Sequence, residues 1–176
     1  RGIGTQRVEE EIGRSYPGTR LIRMDYDTTR LKGAHDRILE KFEADGDILL
    51  GTQMVAKGHD FPSVSLVGII SADTGLHFPD FRSGERTFQL ITQAAGRAGR
   101  RSQGEVVIQT ASAAHPPLRF AAKQDYEGFY EWVTEQRKPL GYPPWGRLIM
   151  VRFRGGNAAR AEEAARLFVR CRMPEP

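Results

Sequence analysis

The sequence predicts an α/β fold. A parallel sheet with helices on both faces is expected over residues 1–112, followed by a truncated α+β segment over 113–176. Two observations predict it. Short apolar runs recur at 48–50 (ILL), 64–70 (VSLVGII) and 106–108 (VVI), after a short strand at 21–24 (LIRM), and continuous apolar runs suit strands buried on both faces. Between them lie stretches of roughly 10–15 residues with helical apolar spacing, and that alternation argues for crossover units and parallel pairing.

The elements follow in order. Residues 5–15 carry Val8 and Ile12 four apart among charges, an exposed helix. Pro17-Gly18 breaks the chain before the first strand at 21–24. Asp27, Thr28 and Thr29 offer N-cap groups for a helix over about 30–44, with Ile38, Leu39 and Phe42 on one face. Strands at 48–50 and 64–70 follow, then a helix over 83–98 with Phe88, Ile91 and Ala95 on its apolar face, then the strand at 106–108. After Ala111-Ser112 the character changes. Residues 115–137 read as mostly helical, and the aromatics Phe120, Tyr126, Phe129, Tyr130 and Trp132 read as core at helical spacing. Gly141 to Gly146 is a stiff turn, 148–153 (LIMVRF) is strand-like, and 157–172 is an Ala/Arg/Glu-rich helix.

Composition excludes several classes. The 176 residues are 39% hydrophobic and 27% charged, which excludes a disordered chain or a disulfide-rich mini-protein. The net charge of +4 does not by itself indicate a polyanionic partner. Its distribution is uneven: residues 111–176 hold 11 basic and 7 acidic side chains, against 9 and 10 in residues 1–50. The arginines of 147–172 suit either a solvated helix face or a phosphate-tracking surface. The single Cys171 allows no internal disulfide and no cysteine-based zinc site. No apolar run approaches the ~18 residues of a membrane span, and the opening residues lack an apolar leader core. Both ends read as cuts in a longer chain.

Two strings carry chemistry. The first, 93–100, is Gln93-Ala94-Ala95-Gly96-Arg97-Ala98-Gly99-Arg100. It sets two arginines three apart, on neighbouring helical positions, with a glycine before each to open or fray the helix end. Arginine's fork makes paired, charge-assisted bonds to phosphate. The second, 51–62 (GTQMVAKGHDFP), follows an apolar strand, where α/β sheets receive ligands. Thr52 offers a hydroxyl for a nucleic-acid phosphate, Lys57 a cation, Gly58 flexibility, and Asp60 a carboxylate for ribose hydroxyls. Asp25 and Asp27 read as turn and capping groups, and no carboxylate–nucleophile geometry of a general base can be read for His59 or His77.

GTQMVAKGHDFP resembles motif V, and QLITQAAGRAGR motif VI, of superfamily 2 nucleic-acid helicases. With GIGTQRVEEE, RMDYDTT, PDFRSGERTF, GEVVIQT and GYPPWGRL in order, the chain is more closely similar to the family of primosomal replication-restart helicases. The resemblance implies a RecA-like, P-loop-NTPase-type second helicase lobe over 1–112 and the start of a C-terminal DNA- and fork-binding domain over 113–176. Arg97 and Arg100 would be catalytic arginine fingers reaching the γ-phosphate of ATP bound on the other lobe. Gln93 would couple nucleotide state to lobe closure, with Gly58, Asp60 and Gly96 beside the nucleotide. Thr52 and Lys57 would face the DNA backbone.

Within the chain there is neither a G-x-x-x-x-G-K-[ST] phosphate loop nor a D-E-x-[HD] metal motif. ATP and Mg²⁺ are therefore expected mainly on a missing first lobe, zinc elsewhere in the intact protein, and no metal on this chain. The family implies a bacterial, cytoplasmic, nucleoid-associated 3′-to-5′ DNA helicase that restarts stalled forks. Its expected partners are forked or single-stranded DNA, other primosome proteins and single-strand-binding protein, with no membrane. Alternatives are another superfamily 2 repair or fork-remodelling translocase, and a non-catalytic nucleic-acid-binding module.

Overall fold

The structure, a computed structural model, describes residues 4–53, 55, 61–98 and 104–172. The elements run α1 (Thr5–Ser15), β1 (Leu21–Met24), α2 (Ala34–Asp45), β2 (Ile48–Gly51), β3 (Leu66–Ile69), α3 (Asp73–Leu76), α4 (Ser83–Ala95), β4 (Glu105–Ile108), α5 (Pro116–Ala122), α6 (Tyr126–Arg137) and α7 (Ala158–Arg172). The chain falls into two compact units, residues 1–132 and 133–176.

The first unit holds two parallel strand pairs. β1 pairs with β2 in a register that sets Leu21 beside Ile48 and Met24 beside Gly51. β3 pairs with β4, Leu66 beside Glu105 and Ile69 beside Ile108. Parallel neighbours need a crossover; α2 supplies it for the first pair, and α3 with α4 for the second. The predicted α/β class and parallel pairing are present, as two pairs among the described residues.

One core lies under the first pair. Met24, Leu39 and Phe61 are buried together, with Ile38, Phe42, Leu49, Val55 and Val64 packed around them. Phe42 and Phe61 meet edge to face at 5.1 Å. Another core joins α4 to α5 and α6. Phe88 and Phe129 stack at 4.1 Å, and each is almost wholly buried. Gly84 lets α5 approach closely: a Cβ there would stand 3.0 Å from Pro117 Cγ.

Several expectations are corrected. The strands are not buried on both faces: β2 is half-buried throughout, and Leu66 and Val107 are exposed. A two-stranded pair leaves edges and faces that a wide sheet would cover. α2 starts at Ala34, with Gly33 as its N-cap at φ 74. The hydroxyls of Thr28 and Thr29 instead donate to the Asp25 carbonyl. Segment 148–153 forms no strand, and Ile149 and Met150 are 88% and 84% exposed; strand propensity needs a partner to pair with.

In the second unit, Trp145 Nε1 donates to Thr134 O at 3.1 Å, Lys138 lies over its ring, and Phe153 packs on Phe168. No helix among the described residues is long and apolar enough to cross a membrane.

Truncating Phe88 to alanine removes the centre of the α4–α6 core and should cost about 3–5 kcal/mol. Leu31→Ala, at a side chain 75% exposed, should stay within about 0.5 kcal/mol. Urea unfolding of the two variants checks the contrast.

Candidate functional site

Two segments present the predicted groups. The first leaves β2 at its carboxyl end. Thr52 is exposed there, and its carbonyl accepts from Val55 N at 3.1 Å. Val55 turns back into the core, and Phe61 re-enters it, buried. The loop that starts at Thr52 is thus anchored on both sides by apolar side chains. Lys57, Gly58 and Asp60 lie outside the described residues.

Gly51 makes this exit possible. A Cβ at that position would collide with the Met24 carbonyl oxygen and with Val55. Only glycine lets the two strand ends and the following turn come this close.

The neighbouring loop, after β1, is built on Asp25. Its Oδ1 accepts from the backbone N–H groups of Asp27 and Thr28, both at 3.1 Å. Its Oδ2 accepts from Thr5 Oγ1 at 2.6 Å, tying the start of α1 to the end of β1. Arg23 lies beside it, Nε 3.2 Å from Oδ2, and donates through Nη1 to Glu9 at 2.6 Å. The Thr5 hydroxyl, chiefly, holds the Asp25 carboxyl below the usual carboxylate range; burial opposes it, and the Thr28 N–H and the Arg23 charge add to it. The turn role read from the sequence is what Asp25 performs. Its long-range partner Thr5, and the Glu9 that holds Arg23, left no local sequence signal.

The second segment is the end of α4. Thr87, Phe88 and Ile91 bury one face, which leaves Gln93 exposed. Gly96 N donates to Thr92 O at 3.0 Å, and Arg97 N to Ala94 O at 3.0 Å. Gln93, Gly96 and Arg97 therefore stand at i, i+3 and i+4, on one face of a continuing turn. Gly96 sits at φ −64, ψ −6, and a Cβ there would meet only ordinary contacts at 3.5 and 3.6 Å. α4 ends here, with Gly96 as its C-cap in a right-handed turn conformation, and the glycine contributes absence of bulk. Arg97 is half-buried at the negative end of the helix dipole. Arg100 lies outside the described residues.

The start of α4 is fixed by Asp80. It accepts from Arg82 N at 2.9 Å through Oδ1 and pairs with Arg86 Nη2 at 3.0 Å; these groups, the Arg82 N–H foremost, hold its carboxyl low. Asp73 anchors the neighbouring turn, accepting from Thr110 Oγ1 at 2.8 Å and Ala111 N at 2.9 Å. His77 Nδ1 lies 2.9 Å from the Asp73 carbonyl oxygen. The structure thus gathers Gln93, Gly96 and Arg97 on one turn, and places Thr52 on a separate strand pair. No cluster of His, Cys, Asp and Glu suited to a metal ion occurs among the described residues.

Residues 5–102 match the family of the helicase conserved C-terminal domain, a range that includes both strings and more than half of the chain. The chain belongs to that family. It is also 52% identical over 166 residues to the replication restart protein PriA of Bacillus subtilis (strain 168), covering 93% of this chain and 21% of that protein. Against the replication restart protein PriA of Treponema pallidum (strain Nichols), identity is 47% over 166 residues, covering 93% and 25%. Against that of Synechocystis sp. it is 45% over 164 residues, covering 92% and 20%. The chain spans about a fifth to a quarter of the length of these curated relatives.

Asp25→Ala leaves the Asp27 and Thr28 donors without their acceptor and should cost about 1–3 kcal/mol at neutral pH. Because the folded carboxyl is lowered, its contribution is complete above the unfolded value near 3.9 and is lost as pH falls through the folded value. Urea midpoints of the parent and Asp25→Ala chains should converge as pH is lowered from 7 toward 3; a constant gap contradicts this.

Proposed function

We propose that this chain, as a member of the helicase conserved C-terminal domain family, supplies the second, RecA-like lobe of an ATP-dependent 3′-to-5′ DNA helicase acting in replication restart. Residues 1–112 are the lobe, and 113–176 begin a C-terminal DNA- and fork-binding domain. The single observation that carries the reading is the face shared by Gln93, Gly96 and Arg97 at the end of α4. It lies inside the family match, in a chain similar over most of its length to replication restart proteins.

The chemistry is consistent with that role. An exposed amide, a position without bulk and a guanidinium suit oxygens of a phosphate held by another body. In this reading they act as donors to a nucleotide bound elsewhere on the longer polypeptide. ATP and Mg²⁺ are assigned mainly to a first lobe on the longer polypeptide, and zinc to another part of it. Arg97 and Arg100 neutralise charge developing on the γ-phosphoryl group, an effect on the order of 10³–10⁵ in rate, or about 4–7 kcal/mol of barrier. Gln93 couples that contact to closure, with Gly58 and Asp60 beside the nucleotide. Thr52 and Lys57 hold the DNA backbone, which positions a strand without reading its sequence. The partners proposed are forked or single-stranded DNA, other primosome proteins and single-strand-binding protein, in the bacterial cytoplasm at the nucleoid.

In the full-length protein, Arg97→Ala and Arg100→Ala should each lower DNA-stimulated ATP hydrolysis by about 10³-fold or more. DNA affinity without nucleotide should change little, because a finger acts in the transition state. Steady-state turnover and DNA titrations of the same preparations check both; near-normal turnover in either variant contradicts the finger assignment.

A further inference from the structure

The aromatic series of α5 and α6 divides in three. Phe129 is core, 3% exposed, against Phe88 of α4, 2% exposed, whereas Tyr126 and Tyr130 are 66% and 56% exposed. Phe120 and Trp132 are half-buried; their rings lie 6.3 Å apart, each at 6.1 Å from the Phe129 ring. The stacked inner pair fixes the outer pair as a rigid platform. That platform borders a cavity of about 290 Å³, lined by Pro116, Arg119, Phe120, Lys123, Asp125 and Trp132, close to the smallest ligand pockets.

Its rim is cationic. Arg119 and Lys123 are four residues apart, one helical turn. Both are exposed, and neither side chain makes a hydrogen bond or ion pair among the described residues. Asp125 is engaged at the start of α6, where its Oδ1 accepts from Gly128 N at 2.9 Å. Its carboxylate disfavours a bare anion deep in the cavity and leaves the Arg119–Lys123 side for one. The core that holds this platform contacts the amino-terminal half of α4, through Gly84 and Phe88. Eleven residue steps of helix at 1.5 Å each run from Gly84 to Ala95, roughly 16 Å, and Arg97 lies beyond. The pocket is therefore distinct from the nucleotide-facing turn.

We infer that this cavity is a single-stranded DNA subsite: one base stacks against Phe120 and Trp132 while Arg119 and Lys123 hold the adjoining phosphates. Rigid aromatic faces beside unpaired cations are what sequence-tolerant single-strand binding uses. The inference rests on the nucleic-acid reading above and adds a contact that neither Thr52 nor the 51–62 loop provides.

The test uses the two tryptophans of the chain, Trp132 and Trp145. Trp145→Phe leaves Trp132 as the only indole, and the probe is an oligothymidylate of about twelve nucleotides, within the usual single-strand site size. Its binding should quench Trp132 emission along the same curve that the anisotropy of a fluorescein-labelled copy follows. In the otherwise unaltered chain, the double variant Arg119→Ala/Lys123→Ala, at two exposed positions, should weaken binding about tenfold. It should also lower the slope of log K against log salt by about 1.4, the counterions of two single-strand contacts. Binding with Trp132 emission unchanged and the double variant unaffected overturns the subsite and leaves the DNA reading standing. No binding at low salt overturns both for this chain. Quenching by an acidic, aromatic peptide but not by oligothymidylate overturns it in favour of a protein partner.

Discussion

The close approach of Gly51 to Met24 is the constraint on which the first strand pair and its loops depend. Met24 is fully buried, and its carbonyl occupies the space that any side chain on residue 51 would need. The parallel register that sets these two residues side by side brings the Asp25 turn and the Thr52 turn out of the same sheet end. Val55 and Phe61 then close the underlying core with Leu39. A bulkier residue at 51 would have to displace backbone, and with it the anchorage of the loop that carries the proposed DNA contacts.

α4 is the second organising element. Asp80 fixes its start, Phe88 and Ile91 bury its middle, and its last turn presents Gln93, Gly96 and Arg97. The same helix thus connects an aromatic core with the face proposed to meet phosphate. Apolar burial sets where the helix lies, and short polar contacts set where it begins. The groups of the proposed phosphate contact lie toward its carboxyl end.

Much of this was legible from local pattern. The span of α1, the strand at 21–24 and the helix beginning at Ser83 follow from apolar spacing and breakers, and both functional strings stand out as residue types at fixed offsets. What local pattern did not carry was competition. Thr28 and Thr29 satisfy the Asp25 turn rather than cap α2, so that helix starts later. Strand-like apolar runs predict burial, yet Leu66 and Val107 are exposed, because burial depends on what a sheet packs against. LIMVRF has strand propensity and no partner strand among the described residues. The ties from Thr5 to Asp25 and from Arg23 to Glu9 join residues far apart in the chain, which no window of sequence encodes. The aromatic run read as core is part core and part platform, a distinction only packing reveals.

In the proposed function this chain contributes charge to a nucleotide that another lobe holds. The most direct measurement is DNA-dependent ATP hydrolysis by the purified chain, alone and after addition of a separately purified first lobe from the same polypeptide. No turnover is expected from the chain alone and turnover on mixing, lost when the added chain carries Arg97→Ala. Robust, DNA-stimulated hydrolysis by the chain alone would contradict it.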